Sequence, residues 1–335
     1  MKVAVDAMGG DHAPGEVVKG AVQAASELGI DITLVGHDKI IQGVLRAWPS
    51  THRISIYHCE EVVRMDESPL KAVRQKKDSS IRVAFNLIKR GEVDAIVSAG
   101  NSGATLAAGI LTLGRVEGVE RPALAGIFPG ERGNVILIDV GANVDCRPSH
   151  LFQFGVMAEA FATSCLGIEN PKVGLLSIGE EGGKGNEQVR LARELLNKSK
   201  LNFVGNVEGR EIFSGDVEII VCDGFVGNVA LKVSEGMAQA MTQLLNTEMM
   251  SSVLGRTGLL LCHGSIERFR TKLDYEEYGG APLLGINGVS IVCHGGSSAK
   301  AIKNAIKLAA RYVDNRALEK MVQRLNLYRT ENPPG

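Results

Sequence analysis

The sequence has little of what marks the specialised classes of protein. Its 335 residues include only six cysteines, and no two of them form a C-x-x-C pair. Their spacings suit neither a zinc site nor a disulfide framework. No uninterrupted apolar run approaches the ~20 residues of a membrane span. The first apolar stretch, within "MKVAVDAMGGDHAP", is too short for a signal-peptide core and contains an aspartate. These absences predict a protein of the reducing cytoplasm.

An excess of charge of either sign is also missing. The formal net charge is −1, from 37 basic and 38 acidic side chains. A dedicated nucleic-acid-binding protein usually carries a strong basic excess, so we expect no nucleic-acid partner. The hydrophobic fraction of 44% and the charged fraction of 22% are ordinary for a globular chain. With no repeat and no evident linker, we predict a single α/β catalytic unit over residues 1–335, which can divide into two subdomains around a cleft.

Short apolar runs of strand length alternate along the chain with segments of helical period. This alternation predicts βαβ units, and therefore an α/β fold with a mainly parallel sheet and helices on both faces. The predicted strands are Val3–Asp6, Ile32–Val35, Ile54–Tyr57, Ala95–Ser98, Ala123–Phe128, Val135–Asp139, Val173–Ile178, Glu218–Cys222 and Val289–Cys293. The predicted helices are Gly15–Leu28, Ile40–Ala47, Ser79–Lys89, Thr105–Leu113, His150–Ser164, Gln188–Leu196, Val226–Leu245 and Ala299–Asp314.

One region breaks this alternation, because residues 237–272 stay helical in character with no intervening strand. Gly255 and Gly258 predict a break between two helices, so we expect a protruding helical hairpin here. Amphipathic helices with basic flanks suit an anionic membrane surface. A dimer interface is the other interpretation, and the two are compatible. The expected contact residues are Leu259, Leu260 and Leu261.

Glycine recurs where the predicted strands end. The six stretches are "DAMGGDHAP", "SAGNSGAT", "DVGANVDCRPS", "GEEGGKGNEQ", "CDGFVGNVA" and "CHGGSSAKA". In an open α/β sheet the carboxyl ends of the strands form the ligand crevice. Glycine there lets backbone N–H groups approach a ligand, and a following helix N-terminus adds free donors and partial positive charge. We therefore expect these loops to converge on an anion site, with phosphate as the usual occupant.

The fourth of these loops, residues 179–186, is the one that carries a lysine. Its backbone N–H groups can surround an anion, and Lys184 supplies the counter-charge. It is not a Walker A loop, because Gly179 stands one residue too close to the Gly-Lys pair. No stretch of the chain is a convincing G-x-G-x-x-G fingerprint either. The sequence therefore does not predict nucleotide binding.

Short polar side chains accompany the glycines in these loops. Side chains of this kind suit helix N-caps, and we interpret Ser102 and Ser297 in this way. Asn143, Asp145 and Asn228 are harder to explain as caps, which makes them candidates for substrate binding.

Two histidines lie in glycine-rich turns that follow strands, His12 and His294. Either can bind an anion, polarise a carbonyl or move a proton near neutral pH. Histidine is also common as a structural residue. His294 is the stronger of the two candidates for the site.

Taken together, the loops resemble those of the PlsX family of phosphate acyltransferases. The resemblance rests on "VDAMGGDHAP", "SAGNSGA", "VDCRPSHLFQF", "GEEGGKGN", "VCDGFVGNV" and "EYGGAPLLGINGVSIVCHG", in the family's order. It implies the fold of phosphotransacetylases and of isocitrate and isopropylmalate dehydrogenases. It also implies reversible transfer of a long-chain fatty acyl group from acyl-acyl-carrier protein to inorganic phosphate. The acyl phosphate would supply a membrane acyltransferase in phospholipid synthesis, and the enzyme would be a cytoplasmic homodimer that contacts the membrane peripherally.

The chemistry of such a transfer needs few groups. Phosphate is already largely dianionic near neutral pH and a thiolate is a fair leaving group. The protein must hold phosphate against the carbonyl and stabilise the developing oxyanion, without a metal or another cofactor. Under the resemblance the catalytic residues are Lys184, His294 and Asp223. The phosphate- or substrate-binding residues are Gly9, Gly10, Asp11, His12, Asn101, Ser102, Gly103, Asn143, Asp145, Asn186, Asn228, Gly295 and Ser297. Within this set, Asn101, Ser102 and Gly103 are expected to bind phosphate together with Lys184 and Asn186, and His294 and Asp223 to lie beside the carbonyl.

Three other interpretations compete with this one. A decarboxylating dehydrogenase of the same fold would use NAD and a divalent metal, which requires an aspartate cluster. Asp139, Asp145 and Asp223 do not form a convincing set. A phosphotransacetylase acting on acetyl-CoA differs only in the acyl donor. A regulatory module that binds an anion or an acyl group without turnover is the non-enzymatic alternative.

Overall fold

The computed structural model describes residues 1–49 and 52–331. Eleven strands in this part of the chain form one sheet, in the order β3-β2-β1-β4-β11-β10-β5-β6-β9-β7-β8. The strands are β1 (Lys2–Asp6), β2 (Asp31–Gly36), β3 (Ile54–His58), β4 (Ala95–Ser98), β5 (Ala123–Pro129), β6 (Asn134–Ile138), β7 (Lys172–Leu176), β8 (Asn202–Val207), β9 (Ile219–Val221), β10 (Ala281–Leu284) and β11 (Val289–Val292).

The sheet is mainly parallel, as predicted, but it consists of two parallel groups that run in opposite directions. Strands β3, β2, β1, β4 and β11 form one group, and β6, β9, β7 and β8 form the other. Between them β10 is antiparallel to both β11 and β5, and β5 is antiparallel to β6. Three successive pairings reverse direction. The strands of the two groups therefore run in opposite directions, and their carboxyl ends point opposite ways along the strand axis. Strand direction alone therefore does not bring the strand-end loops of the two groups together.

Helices cover both faces of the sheet. They are α1 (Gly15–Leu28), α2 (Asp38–Leu45), α3 (Pro69–Gln75), α4 (Ser80–Lys89), α5 (Ser102–Leu113), α6 (Pro148–Phe161), α7 (Glu187–Asn197), α8 (Gly224–Met250), α9 (Val253–Leu261), α10 (His263–Leu273), α11 (Ala299–Asp314) and α12 (Ala317–Glu331). A π-helical turn, Ala162–Leu166, extends α6, and short 3₁₀ segments span Gly209–Phe213 and Tyr275–Glu277.

Successive side chains of a strand point to opposite faces, and the strands at the centre of the sheet serve two separate cores. Val3 and Val5 of β1 pack into one apolar cluster with α1, α6 and α11. Ala4 packs into a second cluster with α4 and α5. On the first face α1 and α11 approach closely, because a Cβ at Gly20 would lie only 2.5 Å from the carbonyl oxygen of Ala299.

The region at 237–272 differs from the predicted hairpin. Helix α8 runs unbroken from the end of β9 to Met250, so the segment begins inside a long helix and contains three helices. The breaks fall at Ser251–Ser252 and at Cys262, and Gly255 and Gly258 lie within α9. Ser252 stops the chain from continuing as one helix because its side chain caps α9, accepting from the Gly255 N–H at 2.9 Å. Among the described helices, none combines the length and the apolar character needed to cross a bilayer.

Candidate active site

Three loops of the first parallel group meet where β1, β4 and β11 end. A Cβ at Gly9 would lie 2.8 Å from the Gly100 nitrogen, and one at Gly10 would lie 3.0 Å from the Gly295 oxygen. The Asp11 N–H donates to the same Gly295 oxygen at 2.8 Å. Glycine is needed here because the loops touch backbone to backbone, leaving no space for a side chain. Gly9, Gly10 and Asp11 therefore join the loops.

A buried carboxyl group lies beneath this junction. Asp6, at the end of β1, accepts a hydrogen bond from the Ser98 hydroxyl at 2.8 Å and from the Met8 N–H at 3.3 Å. The Ser98 oxygen in turn accepts from the Gly100 N–H at 3.1 Å. Burial raises the pKa of Asp6, and its hydrogen bonds with Ser80, Ser98 and the backbone oppose that rise. This network ties the ends of β1 and β4 together.

His294 begins the loop after β11, and its side chain is exposed. The Gly296 N–H donates to its Nδ1 at 3.1 Å. Since Nδ1 accepts this bond, the neutral ring carries its proton on Nε2. The Ser297 N–H donates to the His294 carbonyl oxygen at 3.0 Å, and Ser297 itself is buried. The loop is therefore a tight turn that holds the imidazole in one tautomer.

The helix N-caps are not the serines that the sequence suggested. Asn101 caps α5 by accepting from the Ala104 N–H at 3.0 Å, and Ser298 caps α11 by accepting from the Ala301 N–H at 3.4 Å. The interpretation of Ser102 and Ser297 as caps is wrong, because Ser102 follows the true cap by one residue and Ser297 precedes the true cap by one residue. The Asn101 amide also donates to three carbonyl oxygens of the segment before α3. Its polar atoms are thus engaged in holding α5, and Gly103, two residues later, packs against the Pro69 ring.

The loop after β6 is organised around Asp139, which is fully buried. Its carboxylate accepts N–H bonds from Leu124, Gly141, Ala142 and Asn143. The Asn143 side chain donates to it as well, at 2.8 Å. Burial raises the pKa of Asp139, and these five donors oppose the rise by stabilising the charged form. Asn143 is therefore a support for Asp139, while Asp145 is exposed on the same loop.

Helix α8 begins against this loop. Asp223 caps it by accepting from the Val226 N–H at 2.8 Å. The Gly224 N–H donates to the Asn143 carbonyl oxygen at 2.7 Å. A Cβ at Gly227 would lie 1.9 Å from the Asp139 carbonyl oxygen, so glycine alone permits this contact. Beyond this start, Asn228, Leu231 and Lys232 of α8 line a cavity together with His294.

A cavity of about 330 Å³ lies where the two parallel groups join. Its polar side is formed by the loops after β4 and β11 and includes Ser102, His294, Gly295 and Ser297. Its opposite side comes from β5, β10, α8 and the loop after β6. The residues of that side include Leu124, Ile127, Val140, Leu231, Ala281 and Asn228. Five predicted site residues are thus brought together, namely Ser102, Asn228, His294, Gly295 and Ser297.

Lys184 and Asn186 lie on a separate loop, after β7, near the far end of the sheet. Asn186 caps α7 by accepting from the Val189 N–H at 2.9 Å. Asn206 of the edge strand β8 holds the loop by donating to the Glu181 carbonyl oxygen at 3.0 Å. Neither Lys184 nor Asn186 is among the residues that line the cavity described above. The joint phosphate site of Asn101, Ser102 and Gly103 with Lys184 stays a prediction.

His12 occupies the turn between β1 and α1. Its side chain is exposed, and its carbonyl oxygen accepts from the Glu16 N–H at 3.2 Å, which starts the helix. The neighbouring Asp11 contacts the His294 loop, since a Cβ at Gly295 would lie 3.1 Å from an Asp11 carboxylate oxygen. His12 is therefore next to the loop junction.

Sequence reasoning missed three polar residues that line the cavity. Lys232 and Glu235 lie on α8, with the Lys232 ammonium 2.9 Å from the Glu235 carboxylate. Tyr278 precedes β10, and its hydroxyl donates to Asn134 at 2.9 Å. Burial and the nearby Glu277 raise the pKa of Tyr278, so its hydroxyl stays protonated. Spacing could have found the first two, because residues 228, 231, 232 and 235 form one face of a helix that begins at a glycine-rich loop.

The aspartates of the dehydrogenase alternative do not converge. Asp139 is enclosed by N–H donors, whereas Asp145 is exposed and Asp223 is committed to its cap. Over residues 1–49 and 52–331, no three His, Cys, Asp or Glu side chains are arranged to hold a metal ion.

Comparison with known proteins decides the family. The model of a family described as "fatty acid synthesis protein" matches residues 1–320. A phosphate acyltransferase from Citrifermentans bemidjiense is 53% identical, with 100% of this chain and 94% of that protein covered. One from Geobacter sulfurreducens is 52% identical, with 98% and 96% covered. The chain belongs to the phosphate acyltransferase family. The predicted resemblance is thereby confirmed over essentially the whole length.

Comparison with solved structures identifies the fold of this member of the phosphate acyltransferase family. A phosphotransacetylase from Streptococcus pyogenes matches with a TM-score of 0.64 at 19% identity, covering 95% of this chain and 94% of that one. A putative 4-hydroxythreonine-4-phosphate dehydrogenase from Salmonella typhimurium matches with a TM-score of 0.51 at 14% identity, covering 92% and 98%. At such identities the likeness shows the fold alone. It confirms an α/β fold with a mostly parallel sheet.

Proposed function

We propose that the chain transfers a long-chain fatty acyl group from acyl-acyl-carrier protein to inorganic phosphate, reversibly, for phospholipid synthesis. One observation carries this proposal: in a chain that matches a phosphate acyltransferase over 94% of that protein's length, one cavity has an apolar side and a side of glycine-rich loops with His294. An acyl thioester likewise has an apolar part, its methylene chain, and a polar part, its carbonyl group. Burial of the methylene chain against Leu124, Ile127 and Leu231 lowers its free energy, because apolar surface leaves water. The carbonyl and the phosphate require N–H donors.

The reaction balances without an external acid or base. One oxygen of hydrogen phosphate attacks the thioester carbonyl carbon, and the carbon–sulfur bond breaks. The proton of hydrogen phosphate ends on the departing thiolate, which gives acyl phosphate and a free thiol. The enzyme contributes mainly by holding the two reactants together and by stabilising charge on the carbonyl oxygen.

His294 is the proposed group beside the carbonyl. With Nδ1 accepting from the Gly296 N–H, its Nε2–H can donate to the oxyanion or protonate the thiolate. The first N–H groups of α5 and α11 add donors at the same side of the cavity, next to Ser102 and Ser297. Asp223 acts indirectly. It fixes the start of α8, and α8 positions Asn228 in the lining of the cavity.

Lys184 and Asn186 are the proposed cation and amide for phosphate, together with Ser102 and the N-terminus of α5. If so, Lys184→Ala raises the KM for phosphate about tenfold, since a charge-assisted hydrogen bond is lost. Lys232→Ala is the matched comparison, because Lys232 is the cation that lines the cavity. A changed phosphate KM in the Lys232 variant alone would remove Lys184 from the phosphate site.

We also propose that the chain is a single catalytic unit of the isocitrate and isopropylmalate dehydrogenase-like fold that works as a cytoplasmic homodimer. Helix α8 supports the dimer, because Val229, Val233, Met237 and Leu244 leave an apolar stripe exposed along one side. Exposed apolar stripes of this kind usually mark protein contacts. Sedimentation equilibrium of the full chain should give twice its monomer mass, and Val233→Glu should give the monomer.

Helix α9 is the proposed peripheral membrane contact, which would bring the acyl phosphate to a downstream membrane acyltransferase. Val253, Leu254, Leu260 and Leu261 are between 77% and 85% exposed. Arg256 and Arg268 flank them, which suits an anionic lipid surface. Leu259 is half-buried and contributes less area.

The donor is tested by phosphate-dependent release of free thiol from palmitoyl-acyl-carrier protein, with palmitoyl-CoA run in parallel and no metal added. Release from the carrier-protein thioester that depends on phosphate is the expected result. Release from CoA thioesters alone would favour the phosphotransacetylase alternative. No release from either would contradict the acyltransferase proposal itself.

A further inference from the structure

Residues 62–68 run beside the cavity of His294 on the way from β3 to α3, and we call this segment the strap. Met65, near its middle, lines the cavity together with His294 and Gly295. The Met65 methyl group lies 3.0 Å from the point where a Cβ at Gly295 would stand. The Met65 side chain is also 47% exposed, so it lies between the cavity and solvent. The chemistry described above gives this side chain no part.

An ion pair closes the strap into a short loop. The Lys76 ammonium donates to both carboxylate oxygens of Glu67 and to the Val62 carbonyl oxygen, each at 2.7 Å. The Arg64 N–H donates to the same carboxylate at 2.9 Å. The hydrogen bond from Lys76 lowers the pKa of Glu67, so this carboxylate is charged at neutral pH. Because Val62 and Glu67 lie on either side of Met65 in the sequence, these bonds hold the strap on both sides of that residue.

A second anchor comes from α5, whose N-terminus belongs to the proposed phosphate site. The Asn101 side-chain N–H groups donate to three carbonyl oxygens of the strap, those of Arg64, Met65 and Glu67, at 3.4, 3.0 and 3.2 Å. Asn101 is also the N-cap of α5. The backbone of Met65 is therefore bonded to the residue that starts this helix, which fixes the position of Met65 relative to the phosphate end of the cavity.

The proposed reaction needs a cover at this place because water competes with phosphate for the thioester. A water oxygen can attack the same carbonyl carbon, and the carbon–sulfur bond then breaks. One water proton ends on the thiolate and the other is released when the acid ionises, which gives palmitate and a free thiol. The groups that stabilise the oxyanion serve either nucleophile. Efficient formation of acyl phosphate therefore requires a site that excludes water.

The side chain of methionine suits such a cover. Its thioether is a weak acceptor and it has no hydrogen-bond donor, whereas an ordered water in a protein makes roughly three hydrogen bonds. A water in contact with Met65 would lack a partner on that side. The unbranched side chain also changes rotamer easily, so it can move aside when the acyl donor enters and return afterwards.

We propose that Met65 is a specificity residue that keeps water from the thioester carbonyl, held in place by the strap through Lys76, Glu67 and Asn101. The inference rests on the proposed transfer to phosphate, since only then is water a competing nucleophile. Loss of the Met65 side chain should convert part of the transfer into hydrolysis. A strap that only supported the fold would instead change the phosphate-dependent rate.

The test measures release of carrier-protein thiol from palmitoyl-acyl-carrier protein with phosphate and without it. In Met65→Ala the phosphate-independent release should rise about fivefold, the gain expected when a water makes one further hydrogen bond. Met65→Leu keeps the volume and the apolar surface, so its release should match the wild type. Lys76→Met breaks the ion pair and should also raise the phosphate-independent release.

Two matched controls accompany these variants. Ile40→Ala removes an apolar side chain of similar exposure, 45%, on α2. Lys77→Met removes the exposed lysine next to Lys76. Both controls should keep the wild-type rates with and without phosphate.

Each outcome decides the inference. A rise in Met65→Ala and in Lys76→Met that is absent from Met65→Leu and from both controls supports it. Wild-type phosphate-independent release in Met65→Ala or in Lys76→Met, or an equal rise in Met65→Leu, would overturn it while leaving the acyltransferase proposal intact. If the wild type releases thiol equally with and without phosphate, or not at all, the proposed function fails, and the role of Met65 fails with it. Because the supporting result is a rise in rate, misfolding of a variant cannot produce it.

Discussion

Gly9 is the residue on which the geometry of the loop junction depends most directly. A Cβ at this position would meet an Asp6 carboxylate oxygen at 2.5 Å and the Gly100 nitrogen at 2.8 Å. Neither neighbour can move freely, because Asp6 is held by Ser98 and Gly100 is backbone. A single methyl group would therefore separate the ends of β1 and β4.

Gly9→Ala should lower the free energy of unfolding by about 2 kcal/mol, as overpacking in a tight site does. It should also lower kcat, because the N-terminus of α5 moves relative to His294. Gly15→Ala is the matched control, since no atom lies within 4 Å of its added methyl. Urea unfolding and steady-state rates measure both effects. A Gly9→Ala variant as stable and active as the wild type would contradict the role of the junction.

His294 is the residue to which the chemistry is assigned. His294→Ala should lower kcat by roughly a hundredfold or more, the usual contribution of a positioned proton donor. His52→Ala, at an exposed surface position, is the control and should keep the wild-type rate. Single-turnover acyl transfer measures the effect. If the His294→Ala variant retains its kcat, the oxyanion is stabilised by backbone donors alone.

At the scale of elements, the helices with clear ends were predictable and the weak strands were not. Helices α1 and α11 match the predicted bounds, since α1 ends at the left-handed Gly29 and α11 follows the cap at Ser298. Strand β8 was missed because "NFVGNV" mixes polar and small residues at a sheet edge. Strand β10 was missed because "APLL" is short and contains Pro282, and proline is uncommon inside a strand.

Helices α3 and α12 were also missed. α3 spans only seven residues and its sequence, "PLKAVRQ", is rich in charge, so it gives little helical periodicity. In α12 the buried positions, Ala317, Met321, Leu325 and Tyr328, are spaced as on one helical face. That pattern was readable, but the charged residues around it obscured it, and no helix was predicted after Asp314.

The three helices α8, α9 and α10 lead to a prediction about membrane binding. Leu260→Asp with Leu261→Asp should abolish binding of the full chain to vesicles of anionic phospholipid, because α9 would then present charge to the lipid. Soluble acyl transfer should be unchanged. Thr257→Asp, in the middle of α9, is the matched control, and we expect it to reduce vesicle binding less. Vesicle flotation measures the bound fraction. Undiminished binding of the double variant would place the lipid contact elsewhere.

At the scale of the whole molecule, the two parallel groups of strands run in opposite directions, and the cavity lies where they join. The sequence carried one signal of the reversal. Only residues 130–133 separate β5 from β6, which is too short for the crossover that a parallel pair needs. Counting that gap would have predicted the antiparallel pairing of β5 with β6.

What no sequence pattern could supply is the path of α8. The helix begins beside Asp139, and its residues 228 to 235 line the same cavity as the His294 loop. It thereby places Asn228, Lys232 and Glu235 against residues from the first third and the last part of the chain. Such long-range contacts depend on packing of the complete sheet.

The central claim is that the cavity at this junction joins an acyl group to phosphate. Its most direct test is to incubate the full chain with palmitoyl-acyl-carrier protein and radiolabelled inorganic phosphate, and to isolate the lipid product. The account predicts labelled palmitoyl phosphate in one-to-one ratio with released carrier-protein thiol, and almost none from the His294→Ala variant. Thiol release accompanied by free palmitate, with no label in the lipid, would contradict it.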